Sequence, residues 1–362
     1  MPISTIGTAS ISGLGYGFKN RIINGAMVID QRNAGASVAT SSGTVVYTLD
    51  RWAANYTQTT KYTVQQNAGS VTPPAGFINY LGVTSSSAYS VLASDYFMLN
   101  QRIEGSNVAD LAWGTASAAP VTLSFWVYSS LTGTFGGAIR NNGGSRSYPF
   151  SYTISNANTW EQKSITIAGD TTGTWLTNTG IGIWVNFGLG VGSTYSGTAG
   201  SWSGTSYFST TGAQSVVGTN GATFYITGVQ LEAGTVATSF DYRPYGAELA
   251  LCQRYYEKSY NMSVAPGAAS GGSGSMSITC CGNTNRAFGN AVFKISKRAD
   301  PTVTFYSTEG TSGNFRNTSQ GTNVPVSVAS TGGENQASII CSSGIVSVTD
   351  TILGFFTASA EL

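Results

Sequence analysis

A chain of 362 residues is long enough for about two domains of ordinary size. With 41% apolar and only 9% charged residues and a net charge of +1, it is no disordered polyelectrolyte and has no general attraction for nucleic acid or anionic membrane. Histidine is absent, which removes Ser-His-Asp and Cys-His catalysis and histidine-ligated metals.

The opening residues lack the basic segment and apolar core of a secretory signal. Residues 8–17 are too small and glycine-rich to build a core, so this segment orders only against something else. Residues 1–18 are therefore expected to be an attachment peptide, the alternative being a frayed terminus. From there most of the chain reads as short strands. Residues 44–49, 61–65, 121–128, 161–167, 181–187, 223–231 and 301–306 alternate or carry β-branched runs. Gly, Asn, Ser and Thr clusters separate them, as at 141–145 and 169–173. That pattern predicts an all-β protein, an antiparallel sandwich or jelly roll. Asn24-Gly25 reads as a turn, with glycine supplying the positive φ. Trp126, Trp160 and Trp184 alternate with apolar neighbours and are expected in the core. A helix is predicted over 248–258, with Glu248 near its start and Lys258 near its end matching the helix dipole. Residues 266–275, rich in Gly and Ser, then read as a loop. Lys294, Lys297 and Arg298 alternate along a predicted strand as a solvated edge. The domain organisation expected is 1–18, a large β domain over 19–244, and a short helix with a small C-terminal β domain over 245–362.

Residues 171–231 contain no Asp, Glu, Lys or Arg but are rich in aromatics. Such a stretch supplies no acid pair or phosphate clamp. Its rings, hydroxyls and amides suit an uncharged glycan, whose C–H faces are apolar and edges polar. The long loop-like run 192–208 carries Tyr195, Trp202 and Tyr207, the candidate carbohydrate-binding residues, whose alternative role is packing. Asp30, Asp50, Asp95, Glu104, Asp110, Glu161 and Asp170 form no close pair, and no catalytic residue is assigned. Residues 13–17 (GLGYG) lack the context of a phosphate loop. Cys252, Cys280, Cys281 and Cys341 have no zinc spacing and read as buried thiols, with the vicinal pair on opposite sides of a strand. No metal ligand or cofactor is assigned, although a structural Ca²⁺ held by main-chain carbonyls leaves no motif.

Residues 19–35 (KNRIINGAMVIDQRNAG) and 49–52 (LDRW) resemble the opening of a bacteriophage and prophage fibre-type module. Residues 125–128 (FWVY), 158–161 (NTWE), 226–232 (ITGVQLE) and 240–258 (FDYRPYGAELALCQRYYEK) fit the same module. The resemblance covers about residues 18–260 and runs more loosely beyond. It implies a jelly roll similar to carbohydrate-binding modules, carried on tail fibres of phages, including those of marine bacteria and cyanobacteria. Asp50 with Arg51, and Asp30 with Arg32, are expected to fix loops by local ion pairs or hydrogen bonds.

The function that follows is a non-enzymatic virion protein, assembled in the host cytoplasm. It would be a tail fibre or fibre tip that adsorbs to a host-surface glycan by multivalent binding. The resemblance implies a homotrimer, with Tyr255 and Tyr256 as candidate interface rings, and residues 1–18 joining another virion protein. Nucleic acid and membrane insertion are not expected. A head fibre or capsid decoration is the alternative, and a polysaccharide-degrading tailspike a third reading.

Overall fold

A computed structural model describes residues 19–41, 43–281, 286–330, 333–341 and 349–362. The expected attachment peptide, 1–18, and the side chain of Cys281 lie outside them. In chain order the first strands are β1 (Val38–Ala39), β2 (Val45–Leu49), β3 (Trp52–Tyr56), β4 (Tyr62–Gln66), β5 (Leu81–Ser85), β6 (Tyr96–Glu104) and β7 (Val121–Ser129). Then come β8 (Gly133–Arg140), β9 (Ser147–Ile154), β10 (Glu161–Ile167), β11 (Ile181–Val191), β12 (Ser196–Gly197), β13 (Ser209–Thr210) and β14 (Thr223–Ala233). Twelve of them form two six-stranded antiparallel sheets, ordered β1-β4-β5-β14-β7-β10 and β2-β3-β6-β11-β8-β9, and β12 and β13 pair in parallel with each other. The two six-stranded sheets make a jelly-roll sandwich. The strand pattern produces it directly: Leu123, Phe125 and Val127 of one sheet and Ile183, Val185 and Phe187 of the other are buried between the layers. Phe125 meets Phe187 edge-on at 5.1 Å across the interior.

That same alternation corrects the tryptophan assignment. Since Phe125, Val127, Ile183 and Val185 point inward, Trp126 and Trp184 must point out, and both are only half-buried. Trp160 packs with Tyr128 and Tyr80 in a separate cluster from the sandwich core. In the turn at Asn24-Gly25 the positive φ belongs to Asn24 (58°). Gly25 is needed for another reason, since a Cβ there would lie 2.2 Å from the carbonyl oxygen of Val229.

The helix is α1 (Tyr245–Gln253), earlier and shorter than predicted. Pro244 fixes its entry. It stops because Tyr256 to Lys258 are drawn into a strand, β15 (Tyr256–Lys258). Beyond lie β16 (Met276–Cys281), β17 (Arg286–Val292), β18 (Thr302–Ser307), β19 (Asn314–Asn317), β20 (Thr322–Ser330), β21 (Gln336–Cys341) and β22 (Ile352–Ser359). β22 pairs with β16 on one edge and β19 on the other, so the path β16-β17-β21-β20-β19 closes into a small barrel. Phe305, Phe315, Ile339 and Phe356 fill its core. The basic run 294–298 is not a strand: Lys297 is fully buried and pairs with buried Glu257 at 2.7 Å. Cys252, Cys280 and Cys341 are buried, as read from the sequence.

Some of the charges in this charge-poor chain join the barrel to the sandwich. Asp50 accepts bonds from the main-chain N–H and the side chain of Gln31, and Asp30 from the N–H groups of Arg32, Asn33 and Gly35. Arg32 and Arg51 instead both reach Glu361. Their guanidinium groups also stack on the rings of Tyr256 (3.7 Å) and Tyr255 (3.6 Å). Tyr255, fully buried, donates its hydroxyl proton to Glu104 at 2.6 Å, and Glu104 takes a two-pronged grip from Arg254. Tyr255 and Tyr256 are thus spent inside one chain. Tyr255 is 0% and Tyr256 7% exposed, so the rings expected at a subunit interface are largely enclosed by their own chain.

Candidate functional site

The outward face of the second sheet is where the structure concentrates unspent chemistry. Register places Trp184 on β11 directly opposite Arg102 on β6 and Arg140 on β8. All three therefore point outward, with the indole flanked by guanidinium carbons at 4.2 Å and 4.9 Å from the ring. Two residues further on, Asn186 lies opposite Asn100 and Ala138. Asn100 donates to Asn55 at 2.7 Å and Asn186 to the carbonyl of Ala138 at 3.2 Å. The Oδ1 atoms of both are buried and accept nothing, and the indole N–H of Trp184 and the Nε of Arg102 and Arg140 donate to nothing. Buried polar atoms in folded proteins nearly always have partners, so such a cluster calls for an occupant.

The two ends of this face are closed. At one end the segment carrying β12 and β13 lies on the sheet, close enough that a Cβ on Gly136 would be 2.5 Å from Ser209 Oγ. Glycine at this position is what allows so close an approach. Tyr195 stacks there on Phe208 (4.8 Å, 18°), and Tyr96 meets both edge-on. At the other end the main-chain oxygen of Leu362 accepts bonds from Arg102 and from the Tyr47 hydroxyl. Between them Trp184, Arg102 and Tyr96 remain partly exposed. Arg140 is 8% exposed, and its guanidinium makes no hydrogen bond or ion pair among the described residues. It is sandwiched between Trp184 and Phe208 (4.5 Å). Burial pulls it down to about 10; Tyr96 opposes that shift and Arg102 adds to it.

The three rings expected to bind sugar are not gathered in one place. Tyr195 borders the face just described. Trp202 belongs to a cluster with Trp113, Trp175 and Tyr148 and donates its N–H to the Ala168 carbonyl at 2.8 Å. Tyr207 lies against Gly197. The sequence reading missed Trp184, Arg102 and Arg140, which come from three strands. One signal was available: Arg102 and Arg140 are isolated charges at the ends of apolar strands in a chain with few charges. The seven carboxylates singled out from the sequence all have hydrogen-bond partners within the chain. Asp170, for instance, holds Arg146 through two 2.7 Å bonds. Burial works to raise its carboxyl, and Arg146 with Thr172 more than offsets this, holding it below the usual range. Among the described residues no group of three or more Cys, Asp or Glu could hold a metal ion, and no helix is long and apolar enough to cross a membrane.

No family model and no curated protein matches the chain. Solved structures with a similar arrangement include the enzymatically active domain of tailspike protein 4 of bacteriophage CBA120 (14% identity, TM-score 0.32). That match covers 59% of this chain and 21% of the tailspike chain. A family 11 carbohydrate-binding module from Clostridium thermocellum is 12% identical, with 54% and 97% covered and a TM-score of 0.27. A sugar-binding protein from Bacteroides thetaiotaomicron is 11% identical, with 60% and 100% covered and a TM-score of 0.31. This chain thus spans about a fifth of the tailspike's length. Likeness at this level says nothing of what this chain binds.

Proposed function

We propose that the protein is a fibre component of a phage virion, acting as a homotrimer, and that the outward face of its second sheet binds saccharide on the host surface. The observation that carries this reading is Trp184, a partly exposed indole on the outward face with the guanidinium groups of Arg102 and Arg140 beside it. A pyranose offers an apolar face to such a ring and hydroxyl oxygens as acceptors to such guanidinium groups. Single-site affinity on an open face is modest, and several copies on one fibre raise it by orders of magnitude. The fibre role itself is supported by the sequence motifs of residues 19–258. The test is adsorption of the purified protein to bacterial cells and to an array of bacterial surface polysaccharides. Trp184→Ala should lower binding at least tenfold while leaving thermal unfolding within a few degrees of wild type. Wild-type adsorption by Trp184→Ala would refute the assignment of this face.

A further inference from the structure

Resting on that saccharide reading, we infer that the ligand is acidic: a sugar bearing a carboxylate or sulfate ester that is gripped between Arg140 and Arg102 while its ring lies on Trp184. The charge-free run 171–231 pointed to an uncharged glycan, yet the fold brings β11, inside that run, between two strands whose outward residues are arginines. Among the described residues neither arginine forms an ion pair with an Asp or Glu side chain. Arg102 donates to the Leu362 main-chain oxygen, and the Nε of Arg140 has no acceptor among those residues.

Elsewhere among the described residues buried Lys258 has only main-chain carbonyls, but other cations have a carboxylate. Lys297 has Glu257, Arg51 has Glu361, and Arg254 holds Glu104. Burying a guanidinium without an acceptor is unfavourable, and aromatic stacking on Trp184 and Phe208 satisfies its faces but not its N–H groups. The Nε of Arg140, the Nε of Arg102 and the indole N–H of Trp184 are donors with no acceptor among the described residues. A single neutral hydroxyl answers one of them, whereas a planar or tetrahedral oxyanion answers a guanidinium fork with two bonds and supplies the missing charge. The depressed pKa of Arg140 agrees with a cation that lacks its counter-charge.

The experiment measures binding of the full-length protein to three polymers: polygalacturonate (carboxylate), dextran sulfate (sulfate ester) and dextran (neutral). At least one anionic polymer should bind ten times or more tighter than dextran, and lose most of that advantage when salt is raised from about 50 to 500 mM. The anion that binds identifies carboxylate or sulfate. Arg140→Gln should abolish the preference, Arg140→Lys should restore part of it by charge without the fork, and Trp184→Ala should remove binding altogether. If Arg140→Gln folds poorly by thermal unfolding, Arg102→Gln serves instead, with the same loss expected. Equal binding of all three polymers, or anionic preference that survives both arginine substitutions, overturns the inference. In that case a Trp184→Ala loss still upholds the saccharide reading. Failure of every polymer to bind also overturns the acidic ligand, and the cell-adsorption assay with Trp184→Ala then decides the saccharide reading separately.

Discussion

Trp202 separates a ring that packs from a ring that binds. The sequence marks it as a sugar contact, and the structure surrounds it with Trp113 at 5.3 Å, Trp175 at 5.5 Å and Tyr148 at 5.3 Å, all near edge-on. Each such pair contributes about 0.5–1.5 kcal/mol beyond area burial, and the 2.8 Å bond to Ala168 about 1 kcal/mol. Truncating a fully buried Trp costs about 3–5 kcal/mol. Trp202 is only half-buried, so Trp202→Ala should cost about 3 kcal/mol, near the low end. For a domain the size of this sandwich that is a fall of about 6–12 °C in the unfolding midpoint. Trp202→Phe keeps a ring and loses the N–H, and should cost about 1 kcal/mol. Thermal unfolding and polysaccharide binding are measured on the same preparations. Reduced stability with binding intact below the midpoint is expected. An unshifted midpoint with binding lost would refute the packing argument and return Trp202 to the ligand.

Glu361→Gln removes the carboxylate shared by Arg32 and Arg51, whose side chains are 12% and 1% exposed. A buried pair broken on one side costs about 3–5 kcal/mol. Calorimetry should show the barrel and sandwich unfolding in two resolved steps, and one unshifted transition would contradict the locking role. Lys258 is buried against the carbonyls of Met262 and Val264, and burial lowers its pKa to about 8, against 10.5 when unfolded. The folded state therefore disfavours the cation. The penalty is full below pH 8 and fades as pH rises to about 10.5, a difference of about 3 kcal/mol. Wild type should gain about this much stability relative to Lys258→Met as pH rises from about 8 to about 10.5, and a pH-independent difference would refute it. Tyr255→Phe removes a bond to buried Glu104 and should cost about 1–3 kcal/mol without changing the native mass. A change in subunit number would restore Tyr255 to an interface.

Strands were legible where local alternation and final burial agree. β7, β10 and β14 begin where their residue patterns do, at Val121, Glu161 and Thr223. Side-chain facing was harder. Trp184 looked like core because its neighbours are apolar, yet those neighbours fill the interior and leave it outside. Partnership across long separations was not legible at all. Asp50 and Arg51 are adjacent, but Arg51 finds its carboxylate at Glu361, 310 residues away. Nothing local distinguishes that outcome from a loop ion pair. The candidate site shares this property. Trp184, Arg102 and Arg140 become neighbours only through the β6-β11-β8 register, which no single segment encodes.

β22 was described as the strand that closes the barrel, and it pairs with β15, β16, β18 and β19. During synthesis all four of those strands leave the ribosome before their common partner exists. A nascent chain that has not reached residue 352 carries their unpaired edges, and edges of this kind recruit other chains. Slow translation through 342–352 should therefore lower the soluble yield, and fragments ending before β22 should aggregate even when the sandwich ahead of them has folded.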